Sequence, residues 1–451
     1  MVQPDHAGAR RALLPRSGPM LSVENRRVLK DFADCQANET FRGSPFYKPV
    51  GKFFDLDVEQ EGVLADIGGS ASKSLYFGRL LLAGYENELI YIPDDPRRMS
   101  LAMWSTQYAE EKVFQSHCVR HLCERPYFHD FRSAIDVTGE WSLPSFEDYF
   151  ADYVAALDCA DTRAIVARIH ASKSPHDAAL FNAIQFTAEF LVEASGMTRN
   201  LQGYYGPEQS EYFKIIIDEY GYGVFGSKHS TLYREFLESV GLDGRHHRYW
   251  WFYLPATLLS NNYINVMCNN HGNFFRYMGS LTQSENSFAI SLDMLDKMYR
   301  ELFPAANTAY FKEHVHIDQH HGRMAFQDLC LSLARRLGND VIPEIVRGFE
   351  ESMDLGKRYR AEFESHLDWF DGIWPETEAC NDDPCAEDAD FFTTMTDRPT
   401  VLSVETGAVF VHPMPRIYRP VRAGESMLIP ARTLFGIRAE KGSWYRLDLR
   451  H

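Results

Sequence analysis

From about Phe146 to Phe370, apolar residues recur at three- and four-residue spacings almost without interruption, which predicts a succession of helices. Phe181–Ala194 (FNAIQFTAEFLVEA) is one, ended by Gly196. Glu211–Tyr220 is another, and it runs into Gly221, Gly223 and Gly226. Each glycine costs about 1 kcal/mol relative to alanine inside a helix, so a break is expected before helical character resumes at His229. Further helical stretches follow at Trp250–Met278, Ala289–Leu302, Ala309–Leu337 and Ile345–Phe370. Upstream, Ala109–Cys123 reads as a helix and Pro126–Pro144 as a connection. Helices joined by short loops imply an antiparallel bundle.

The pattern changes after Phe370. Trp374-Pro375 and the acidic stretch Glu376–Asp390 mark a linker. Beyond it, Val401–Val411, Tyr418–Val421, Met427–Pro430 and Trp444–Leu447 are strand candidates, with a turn at Ala423-Gly424-Glu425. The expected class is mainly α with a small C-terminal β module. The expected division is a disordered tail (1–19), a helical N-terminal domain (20–140), a helical bundle (141–370), an acidic linker (371–398) and the β module (399–451).

Composition narrows the partners. Of 451 residues, 45% are hydrophobic and 24% charged, an ordinary globular balance. Forty-six basic against 63 acidic residues leave a net charge of −17, which argues against nucleic acid because phosphate binding needs a basic patch. No run approaches the roughly 18 apolar residues that span a bilayer, and no apolar segment follows Arg10, Arg11 and Arg16, so neither a membrane anchor nor a signal peptide is expected. Eight cysteines without a CxxC pair suggest a reducing cytoplasm.

The chemistry concentrates in Glu313-His-Val-His-Ile-Asp-Gln-His-His321. On a helix, His314, Asp318 and His321 stand at i, i+4 and i+7 and fall within an arc of about 60°. Three metal-competent groups on one stripe suit a helix-borne metal site, which needs further ligands from facing helices. Glu189 and Glu193, four apart, offer carboxylates, with Glu193 set among apolar neighbours. Glu219 and His229 would lie about 15 Å apart along an unbroken helix, so they can serve one centre only if the glycines break it.

The segments Ile215–Asp243 and Tyr310–Ala325, with their H-x3-D-x2-H core, resemble the haem-oxygenase-like di-iron oxidases, in the nitrosourea-synthase subgroup that carries a C-terminal cupin. The resemblance covers nearly the whole chain. It implies a haem-oxygenase-like bundle and two non-haem Fe(II) held by Glu193, Glu219, His229, His314, Asp318 and His321. It further implies O2 as co-substrate, an external electron donor, and pairing of the N-terminal domain into a homodimer. The substrate would be L-arginine or a related guanidine amino acid, hydroxylated on nitrogen. In the β module, Gly424 to Gly436 follows the second cupin motif, but Phe435 stands where that motif places a metal-binding histidine, and only His412 remains for the first motif. The module is therefore expected to be metal-free, which favours an N-hydroxylated product over nitrogen–nitrogen bond formation. Both remain open, as does a non-catalytic binding protein on the same fold.

Other signals are weaker. His117, Cys118, His121 and Cys123 match no zinc spacing, and Cys380 with Cys385 reads as a free pair. His246 and His247 read as core and helix surface, and His316 and His320 point off the ligand stripe. Asn261, Asn262 and Asn269 read as core amides or substrate contacts, and Glu285 is an outlying extra carboxylate.

Overall fold

The computed structural model describes residues 22–37, 62–92, 99–380 and 391–450. The tail read at 1–19, Met20, and most of the acidic stretch with Cys385 lie outside the described residues. The N-terminal helices are α1 (Val23–Ala37), α2 (Ala71–Glu86), α3 (Leu101–Gln107), α4 (Glu110–Tyr127) and α5 (His129–Ser133). The main bundle continues with α6 (Leu143–Ala156), α7 (Ala160–His170), α8 (Pro175–Phe190), α9 (Pro207–Glu219), α10 (His229–Ser239) and α11 (Pro255–Asn269). It is completed by α12 (Phe274–Leu302), α13 (Ala309–Arg323), α14 (Ser332–Leu337) and α15 (Ile342–Ile373).

α12 packs against α13 and α15. Gly279 on α12 and Gly348 on α15 let two backbones meet, since a Cβ at either position would overlap a carbonyl of the facing helix (Ile345 or Arg276). The sequence pattern placed a gap between Met278 and Ala289, whereas α12 runs straight through it. That stretch is polar because Ser280, Ser284 and Glu285 face an internal cavity, so function masked the helical period. Conversely, the stretch read as Trp250–Met278 is interrupted. Short 3₁₀ turns at Trp250–Phe252 and His271–Asn273 bracket α11.

α13 passes without interruption into a π-helical segment, Met324–Leu331, and then α14. This matches the continuous helical reading of Ala309–Leu337.

The β module contains β1 (Glu378–Ala379), β2 (Phe392–Thr394), β3 (Thr400–Thr406), β4 (Ala408–Met414), β5 (Ile417–Arg422), β6 (Ser426–Ile429), β7 (Phe435–Ala439) and β8 (Trp444–Leu449). The strands form two antiparallel sheets, ordered β1-β5-β4-β7-β2 and β6-β3-β8. The single strand expected over Val401–Val411 is two, separated at Gly407. The segment expected as linker, 371–398, contributes β1 and β2, and the end of the motif-two region opens β7.

The inward residues Leu402, Val404, Val411, Ile429 and Phe435 form the module's own core, closed by Trp369 and Ile373 of α15. The module docks on the bundle through a buried seam. Arg79 of α2 donates from Nη1 to the Thr393 carbonyl at 3.0 Å and from Nη2 to the Trp251 carbonyl at 3.0 Å. The Asp397 carboxylate accepts from the Ser70 and Ser72 hydroxyls at the start of α2. His366 of α15 donates from Nε2 to the Pro413 carbonyl at 2.9 Å.

Candidate metal centre

α9 ends at Glu219 and α10 starts at His229, so both residues sit at helix ends facing the bundle interior. Two 3₁₀ turns, Gly221–Gly223 and Phe225–Ser227, fold the chain back between them. Gly221 (φ +58) and Tyr222 (φ +53) are left-handed, which reverses the direction of the chain. The expected break thus brings His229 Nδ1 to 2.7 Å from Glu219 Oε2. These two atoms lack hydrogen-bond alignment, and both are buried without a hydrogen-bond partner. They face a shared point rather than each other.

Glu193 reaches the same point by a route that differs from the expectation. The helix read as Phe181–Ala194 ends at Phe190, so Glu193 is not on a helix face with Glu189. It sits in the following turn, where Ala194 adopts φ +67. The local sequence Leu-Val-Glu-Ala favours continued helix, and tertiary packing overrides it. Glu193 Oε1 lies 3.3 Å from His314 Nε2 and accepts from the Tyr310 hydroxyl at 3.1 Å. Glu193, Glu219, His229 and His314 bring one donor atom each to within 4.8 Å of one another.

A second group adjoins the first. Glu219, Glu285 and His321 converge within the same limit, so Glu219 belongs to both. His321 Nδ1 lies 3.3 Å from Glu285 Oε2, 3.7 Å from Glu219 Oε1 and 3.6 Å from Asp318 Oδ1. Both Asp318 oxygens, His321 Nδ1 and Glu193 Oε2 are buried without hydrogen bonds. All six residues named from the sequence therefore border one buried locus. Glu285, expected only as an outlier, joins them.

Outer contacts fix which ring nitrogens face inward. His314 Nδ1 donates to the Tyr310 carbonyl at 2.9 Å, leaving the Nε2 lone pair for the site. His321 Nε2 donates to Asp218 Oδ2 at 2.9 Å, leaving Nδ1. Such outer hydrogen bonds orient metal-ligating histidines. Asp218 was missed in sequence, because its histidine partner is 103 positions away.

Electrostatics agree with a site built for cations. Burial raises the Glu219 and Asp318 carboxyls to about 7, and burial together with the neighbouring His314 lowers His229 to about 4. Carboxylate oxygens and imidazoles crowded into a dry interior, with orphaned atoms aimed at two overlapping points, fit a pair of divalent cations.

The remaining candidates fall elsewhere. His316, His320, His117 and His121 are exposed, and among the described residues His117, Cys118, His121 and Cys123 form no metal-holding group. His247 falls in the core, at φ +61 with Nε2 2.7 Å from buried Glu86. Asn262 donates to the Gly78 carbonyl and Asn269 to the Asn265 carbonyl, both structural roles. In the β module Phe435 is fully buried, and His412 pairs across the sheet with Gly436.

No described helix is long and apolar enough to cross a membrane. Residues 182–357 match the family model described as "Iron-containing redox enzyme", a haem-oxygenase-like family. The matched span includes every residue of both donor groups. A curated relative, the nitrosourea synthase of Streptomyces achromogenes subsp. streptozoticus, is 39% identical over 310 residues. That alignment covers 68% of this chain and 65% of the relative's length.

Proposed function

From the premise that residues 182–357 belong to the haem-oxygenase-like iron-containing redox enzymes, we infer that this protein is a non-haem di-iron, O2-dependent N-oxygenase. Its substrate is L-arginine or a related guanidine amino acid. The observation that carries the reading is the pair of buried donor groups joined by Glu219. Glu193, His229 and His314 would hold one iron, Asp318, His321 and Glu285 the other, and Glu219 both. When bound, two ferrous ions supply oxygen activation, which amino-acid side chains cannot.

The chain's own residues do the rest. Asp218 and the Tyr310 carbonyl lock the imidazoles, Tyr310 steadies Glu193, and Leu281, Ile264 and Phe288 keep the adjoining cavity apolar. Electrons come from an external donor: Gly221, Gly223 and Gly226 have the G-x-G-x-x-G spacing, but they follow helix α9 rather than the strand that a dinucleotide-binding turn requires.

The relative's name supports a second reading, a nitrogen–nitrogen bond-forming synthase. What weighs against it is the β module, whose only described histidine is His412. Anaerobic Fe(II) loading, O2 exposure and mass spectrometry with guanidine amino acids separate the two. Added oxygen atoms alone support the oxygenase, and a product with a new nitrogen–nitrogen bond supports the synthase. Exposed Ile90, Ile92, Leu101 and Phe114 support pairing of the N-terminal region into a homodimer. Light scattering at the 51.9 kDa chain mass would refute that pairing.

A further inference from the structure

Two cavities meet beside the metal centre. The inner one, about 100 Å³, is bordered by Glu193, Glu219, Glu285 and His314. The outer one, about 450 Å³, extends away between α7, α8, α11, α12 and α15, and its volume suits a molecule of amino-acid size. Six residues line both: Glu189, Asn261, Ile264, Ser280, Ser284 and Phe288. They form a collar between the outer cavity and the donor groups.

The collar is rich in acceptors. Glu189, in the last turn of α8, is its one charged group. Among the described residues no hydrogen bond or ion pair is made by its carboxylate. Asn261 spends its amide N–H on the Thr257 carbonyl at 2.9 Å, which leaves its amide oxygen as the open end. The Ser284 hydroxyl adds a further acceptor, while Ile264 and Phe288 supply flat apolar walls. Glu189 is half-buried in the wall of both cavities, and its enclosure there beside Glu193 raises its carboxyl to about 8, so its ionised form gains from a cationic partner. A group that donates hydrogen bonds and carries positive charge would pair with both the Glu189 carboxylate and the Asn261 amide oxygen. The outer cavity also reaches Lys357, an exposed cation for which no carboxylate partner is described, suited to a substrate's carboxylate.

We propose that Glu189 is the substrate-seating residue, binding the delocalised cationic head of a guanidine amino acid in the collar and so presenting its nitrogens to the metal centre. Glu189 is not a metal ligand in this assignment. The proposal rests on the guanidine reading of the substrate and adds the residue that enforces it. It predicts discrimination against an isosteric neutral head, since that head forgoes the charge-assisted pairing with Glu189, a factor of about 30 or more in affinity.

The test is calorimetric binding of L-arginine and of its neutral isostere L-citrulline to the full-length, Fe(II)-loaded protein without O2. Wild type should prefer L-arginine by about 30-fold or more. Glu189→Gln should reduce that preference to within about threefold while retaining wild-type iron content, and Glu189→Asp should restore part of it. An unchanged preference in Glu189→Gln overturns the proposal, and so does loss of iron, which would make Glu189 a ligand. If Glu189→Gln does not fold, the wild-type ranking decides: equal affinity for the two amino acids overturns the seat. A protein that binds L-arginine through Glu189 but adds no oxygen to it refutes the oxygenase reading and leaves the seat standing. Oxygenation without any preference for the cation does the reverse.

Discussion

Gly221→Ala tests whether the fold-back between α9 and α10 builds the metal centre. A methyl group at this position would lie 2.5 Å from the Ser227 carbonyl oxygen and 2.6 Å from the Lys228 nitrogen. Both are backbone atoms with no rotamer to escape into. The left-handed conformation costs about 1–2 kcal/mol for alanine, and relieving such an overlap about 1–3 kcal/mol, together about 2–5 kcal/mol. The strain falls on the only connection that brings Glu219 and His229 together, so it should appear as weakened iron binding, by about 30-fold at the low end. Gly223 (φ +81) and Gly226 provide internal controls, because a Cβ at either meets nothing within 4 Å. Gly223→Ala should cost about 1 kcal/mol from conformation alone, and Gly226→Ala essentially nothing. Fe(II) titration of the three variants would reveal the order. Equal iron affinity in Gly221→Ala and Gly226→Ala would refute the reasoning.

Other outcomes follow from the same geometry. Glu219→Ala should lose both irons and Glu285→Ala at most one, as read by metal analysis of loaded protein; one iron retained in Glu219→Ala would show that it does not bridge. Arg79→Met should destabilise the protein by about 2 kcal/mol in denaturant unfolding, since the Thr393 carbonyl loses the guanidinium in a buried seam while the Trp251 carbonyl keeps only the Thr393 hydroxyl; an unchanged midpoint would contradict this. His366 is held neutral, lowered to about 4 by burial, against about 6.5 when unfolded. Between those values the unfolded chain binds the extra proton, so this contribution is complete above pH 6.5 and falls by up to about 3 kcal/mol as the pH approaches 4. His366→Gln should flatten that part of the stability–pH profile, and an identical slope would rule His366 out.

Much of the centre was legible because helical periodicity survives where ligands must share a face. His314, Asp318 and His321 are placed by spacing alone, and the glycines between Glu219 and His229 announced a fold-back. Glu193 was found as a residue but not as a conformation, since nothing in Leu191–Ala194 signals that Ala194 turns left-handed. Glu285 was undervalued for a physical reason. The polar residues that line the cavity interrupt the apolar period of α12, so the part of the helix nearest the chemistry reads as loop. Asp218 carries no local signal, because its role exists only through a histidine on another helix. In the β module, alternation located β5, β6 and β8, but β2 hid in a segment read as linker.

The seam around Arg79 also orders events in time. Its guanidinium is made early, and the Thr393 carbonyl that receives it is 314 residues downstream. At about 5–20 residues per second, synthesis would need about 15–60 s to supply that partner. During this interval the helices of the bundle can pair with one another, while a cation meant for a buried site stays in water. Docking of the β module then follows the pairing of these helices. A chain interrupted before β2 would carry every donor of the metal centre, yet expose the face on which α2 and the Trp251 turn should be closed.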